Sequence, residues 1–239
     1  MKKLLYLNLA LFLLNVINGC SSSSENRTIS SNAELDSIAP KLAVIPTFEN
    51  YLLSYNNLEF DSLPIFYSST EGDDSFNGTK IDSLYFKFLP KSITQTFVSD
   101  PEIYACNKFL IDSQYIGLLT RVIPNYTESS IWLLIYDVKE KNFTDTWILA
   151  EKSGDDGMFT FKSSWLYENK INGVEFFTLI QDCSFSSEPG EESSDCTDSV
   201  EAHKLKDGKF YILEIDTLSK HQILNKLVSA KQKLVAEVN

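Results

Sequence analysis

Two cysteines, Cys183 and Cys196, stand 13 positions apart and bracket an acidic run containing Glu188, Glu191, Glu192 and Asp195. In an oxidising compartment such a pair closes a loop as a disulfide, worth about 3 kcal/mol on the chain-entropy account. In a reducing compartment the same residues are two thiols. The spacing is not that of a zinc ribbon, and no second cysteine pair completes one. Clustered carboxylates are hard ligands suited to calcium. The Asp-x-Asp-x-Asp-Gly spacing is missing here and at Asp155-Asp156-Gly157, so the acids read as solvated loop charge. No metal and no cofactor is expected. Trp132, Trp147 and Trp165 fall on three successive predicted strands. An exposed row of that kind would stack on a sugar or an apolar ligand. Core packing is the commoner fate of tryptophan. His203 alternates with Ala202 and Lys204, which predicts a solvent-facing side chain. There is no His-Glu-x-x-His, no Gly-x-Ser-x-Gly and no phosphate-binding glycine loop. Paired carboxylates for hydrolysis are abundant, and none is singled out.

The elements that must position these groups are clearest after residue 130. Apolar, β-branched and aromatic runs at 131–138, 143–150, 158–167, 174–181, 199–205 and 210–215 are separated by short turns. Lys206-Asp207-Gly208-Lys209 carries Asp-Gly, a strong hairpin signal. With no helical period between the runs, the fold class reads as mainly β, an antiparallel β-meander forming an open or sandwich-like sheet. Residues 35–130 hold shorter apolar runs punctuated by Pro40, Pro46, Pro64, Pro90 and Pro101, which argue against long helices. Residues 71–78 read as an exposed loop and 152–157 as another. Ile223, Leu224, Leu227, Val228, Leu234, Val235 and Val238 recur at 3–4 spacing, which predicts an amphipathic C-terminal α-helix over 218–238. Such a helix either caps its own sheet or binds a partner.

The amino terminus has a separate logic. Lys2 and Lys3 precede an apolar run from Leu4 to Ile17, too short for a stable span and arranged like an export signal. The run ends Ile17-Asn18-Gly19-Cys20, which resembles a bacterial lipobox. That resemblance implies cleavage after Gly19, a signal peptide of residues 1–19, and acylation (palmitate) of Cys20. Asn18 departs from the small residue commoner at that position. Two or three acyl chains hold a protein stably at a membrane. Ser21, where an Asp would resemble an inner-membrane retention signal, implies outer-membrane delivery. Residues 20–34 are Ser-rich and polar, a lipidated tether, leaving 35–239 as a single β-rich domain. With Cys20 lipidated and Cys183 bridged to Cys196, Cys106 is unpaired and reads as a buried apolar residue. Five triplets (at Asp36, Asp61, Asp82, Asp198 and Asp216) resemble the Asp-Ser/Thr-apolar glycosylation sequon of one Gram-negative phylum. The whole is similar in style to the uncharacterised outer-membrane lipoproteins of that phylum.

Composition bounds the function. The chain has 239 residues, 33 Asp plus Glu against 21 Lys plus Arg, and a formal charge of −12. An acidic exterior does not displace counterions from phosphates, so no nucleic acid is expected as a partner. An apolar content of 43% is enough for a sizeable core. Two classes follow. One is a lipid-anchored envelope protein whose β-rich domain binds or scaffolds a protein or carbohydrate partner. The other is a carboxylate-dependent hydrolase acting on an envelope or dietary polymer. Two acids set in a deep cleft would favour the second; a shallow surface with exposed aromatics would favour the first.

Overall fold

A computed structural model describes residues 45–67, 76–94, 102–123, 129–169, 173–188 and 191–238. Cys20, its lipobox and the whole of the expected tether lie outside them, as do residues 71–75 of the expected 71–78 loop. The strands are β1 (Asn56–Asn57), β2 (Ser62–Ile65), β3 (Thr79–Lys80), β4 (Glu102–Leu110), β5 (Tyr115–Ile123), β6 (Ser130–Asp137), β7 (Asn142–Asp155), β8 (Met158–Asn169), β9 (Gly173–Glu188), β10 (Glu191–Lys206) and β11 (Lys209–Ile212). From β4 to β11 each strand pairs antiparallel with the next, an open meander in sequence order. The sheet is mixed, because β1 adds to β4 in parallel. Short helices precede the meander: α1 (Phe48–Leu53), a 3-10 helix (Ser83–Phe88) and α2 (Lys91–Thr94). The chain closes with α3 (Thr217–Val238), the helix its apolar spacing predicts.

Turn chemistry sets the hairpins. Asp207 and Gly208 take φ of 53° and 71°, the paired left-handed conformation of a two-residue hairpin turn. A side chain at Gly208 would also collide with the Tyr115 ring, which lies 2.4 Å from where a Cβ would stand. Asp156-Gly157 makes the same kind of turn between β7 and β8. The expected 152–157 loop is therefore mostly strand. The acidic run is likewise not a loop, because β9 and β10 keep their register out to Glu188 opposite Glu191.

β7 joins the two halves of the sheet. Its first part, to Ala150, pairs with β6, and its last part, from Glu151, pairs with β8. β2 then pairs with β8 along Ser164–Tyr167, beyond the part of β8 that β7 occupies. Side chains from both halves meet in one core, among them Leu119, Leu133 and Leu149 from one and Leu166, Phe176 and Leu205 from the other. The opposite face of the first half is covered by α1, the 3-10 helix and α2 through Tyr51, Leu89 and Ile93. The opposite face of the second half carries Trp165, Leu179 and Val200 under Leu227 of α3. Hence α3 caps its own sheet. Among the described residues no helix is long and apolar enough to cross a membrane.

Candidate functional site

A bulge at Cys106 decides what faces inward at the end of β4. Ile103 and Ala105 precede it and pack under the short helices; Phe109 follows it and points into the shared core. Two residues would not change face over that interval without the extra residue. Phe109 settles over Gly117, whose missing Cβ would lie 2.5 Å from the ring. Phe60 packs edge-on against it, centroids 5.1 Å apart.

Phe60 belongs to a strap that crosses between two strand edges. At one end β1 lies along β4 and the Leu58 N–H donates to the Lys108 carbonyl at 2.8 Å. At the other end the Glu168 N–H donates to the Asp61 carbonyl at 3.2 Å and β2 joins β8. Beside this strap opens a cleft of about 860 Å³. Its floor is apolar, with Phe109 and Val174 buried and Leu58 and Phe60 half-buried. Its rim carries the exposed residues Glu59, Asp61 and Glu168. The one cation among the lining residues is Lys108, and its ammonium donates to the Leu52 carbonyl at 2.7 Å. Register places Lys108 opposite Leu118, on the helix-covered face of the sheet. The rim is thus acidic over an apolar floor. Its volume lies within the range of small-ligand sites. No motif announced it, because its acids come from the strap and from the end of β8, about a hundred residues apart in sequence.

The tryptophans do not form a row. Trp132 pairs with Ile148 and Leu133 with Trp147, so the two rings point to opposite faces of the sheet. Trp132 packs by the short helices and donates through Nε1 to the Ser130 hydroxyl at 2.9 Å. Trp147 packs against Phe176 and His203. Trp165 is buried beneath α3 and meets Phe66 edge-on at 5.0 Å. Each therefore supports a different part of the core. Among the described residues the exposed aromatics are Tyr211, 50% exposed, and Phe185, 46% exposed, which meets Phe159 at 5.7 Å with the Lys152 ammonium 4.9 Å from the Phe159 ring centre.

His203 does not face solvent. It is fully buried, with Nε2 3.2 Å from the Glu201 carboxylate and no partner at Nδ1. Burial pushes its pKa down, and Glu201 opposes this in part. Alternation misled here because β10 is covered on both faces, by the core and by α3.

The two cysteines are cross-strand partners and form a disulfide, with Cα atoms 4.1 Å apart. Cys106 is buried, its Sγ 3.2 Å from the Phe76 carbonyl, and burial pushes its thiol up to about 11. A thiol held protonated in this way is a packing group, not a nucleophile. Among the described residues no three acids, histidines or cysteines converge as a metal site. Ser62, Ser83, Ser199 and Thr217 of the Asp-Ser/Thr triplets are all exposed, and the triplet at Asp36 lies outside the described residues. Comparison with protein-family models, with curated proteins and with solved structures finds no match.

Proposed function

We propose that this chain is a lipid-anchored cell-envelope protein whose β-rich domain binds a small ligand or a side chain of a partner in the strap cleft. The observation that carries the binding reading is the cleft itself, an apolar floor rimmed by Glu59, Asp61 and Glu168. That lining suits an occupant with an apolar body and a cationic or hydrogen-bonding group. Support for export comes from the lipobox-like Ile17-Asn18-Gly19-Cys20 and from the Cys183–Cys196 bridge, a bond that persists in oxidising compartments. On this reading residues 1–19 are removed, Cys20 is acylated, and the segment to residue 34 holds the domain off the outer membrane. Labelled palmitate should enter the wild-type chain and not Cys20→Ala; incorporation into the variant rejects the anchor.

A second reading, the hydrolase, draws on the same three acids. They stand on exposed residues at the rim, where water reaches them, and not in an enclosure that excludes it from a reacting bond. Binding is therefore the better account. Hydrolysis of an envelope or dietary glycan that is lost in Asp61→Asn or Glu168→Gln would reverse that order.

A further inference from the structure

The last long strand has an open edge. β11 covers β10 only from His203 to Lys206, and the Leu213 N–H extends that contact by one bond, to the Ala202 carbonyl at 2.8 Å. That bond fixes which way the backbone faces, since Ala202 directs its polar groups away from β9. β9 and β10 pair without a register shift from Glu191 to Lys204, so strand alternation turns Val200, Asp198 and Cys196 the same way. Among the described residues no backbone group answers their N–H and C=O. A row of unanswered donors and acceptors is a template for another strand. The Cys183–Cys196 bridge ties this part of β10 to β9, so the template is held in place.

Side chains define the partner. Carboxylates flank this edge on both faces: exposed Asp195 and half-exposed Glu201 on one, and exposed Asp198, which accepts from Gln181 Nε2 at 2.9 Å, on the other. A second copy pairing edge to edge would set these carboxylates against their equivalents, which disfavours self-association. A strand carrying Lys or Arg on either face would be attracted instead. We propose that the β10 edge, Cys196–Ala202, is a docking site for an extended basic segment of a partner protein, which adds to the sheet as one further strand. This surface is separate from the cleft and does not depend on it.

The test uses the oxidised full chain and three peptides. One is a decamer of alternating lysine and valine, the second has glutamate for lysine, and the third is the lysine peptide N-methylated at alternate residues. The lysine peptide should slow hydrogen exchange at the Asp198 and Val200 amides by roughly tenfold or more, and the other two should not. Asp198→Pro removes an outward N–H without touching the bonds to β9, and should abolish the effect while exchange at Leu179 stays slow. If that variant fails to fold, the pair Asp195→Lys with Asp198→Lys should instead transfer the preference to the glutamate peptide. Equal binding of the N-methylated peptide would overturn the proposal, as would equal binding of the glutamate peptide to the unaltered chain. So would edge amides already protected in a dimer of the free protein.

Discussion

His203 lies nearly flat against Phe176, ring centroids 4.7 Å apart and planes 18° from parallel, while Trp147 packs beside both at 4.3 Å from the imidazole. Burial there favours the neutral imidazole, and the Glu201 carboxylate at Nε2 offsets only part of the cost of its charge. Because burial lowers its pKa, the unfolded chain binds the proton more readily than the folded one. This group's contribution is therefore present above the unfolded value near ~6.5 and is lost as pH falls below it toward the folded value. Melting temperature should drop between neutral pH and about pH 5, and His203→Phe should flatten that part of the profile. An equally steep acid slope in the variant would mean that other groups set the acid response.

The disulfide should matter for stability more than for fold. Replacing both Cys183 and Cys196 by Ser removes a cross-link around a short loop, at a cost of about 3 kcal/mol on the chain-entropy account. The core residues Leu133, Leu166 and Phe176 do not depend on it. Urea unfolding should move to lower midpoint, with far-ultraviolet circular dichroism of the native state unchanged. An unchanged midpoint would show that the strand pairing alone holds the β9–β10 ribbon.

Leu227 is the buried anchor of α3, 3% exposed and packed with Trp165, Leu179 and Val200. Leu227→Ala should cost about 2–5 kcal/mol and red-shift the fluorescence of Trp165 as the helix lifts. An exposed substitution on the same helix, Lys226→Ala, should do neither. If Leu227→Ala is silent, α3 is not the cap of this sheet.

Much of this architecture can be read from the residues, and the exceptions are instructive. Asp207-Gly208 specifies its own turn because both positions need positive φ, and the 3–4 spacing from Ile223 marks α3. Asp156-Gly157 carries the same turn signal, yet the polar residues around it read as a loop although β7 and β8 run to its edges. Propensity could not show that the acidic run between the cysteines is strand, since pairing with β9 overrides the local preference of Asp and Glu. The tryptophan row failed on parity: with Trp132 opposite Ile148, Trp147 is turned to the other face. The cleft was invisible because its position depends on a bulge at Cys106 and on a strap bonded to two distant strands.

On the proposed function the strap cleft is a binding site tuned by Glu59, Asp61 and Glu168. Its most direct test is a titration with three tetraphenyl probes of one shape: cationic tetraphenylphosphonium, neutral tetraphenylsilane and anionic tetraphenylborate. Amide chemical shifts report where each binds. The cation should perturb Phe109, Leu110 and Val174 and bind roughly tenfold more tightly than the neutral probe, with the anion weakest. Glu59→Gln, Asp61→Asn and Glu168→Gln combined should erase the cation's advantage and leave the neutral probe bound. Neutral binding with no cation preference would keep the site and reject its tuning. No perturbation at the cleft by any probe would contradict the claim outright.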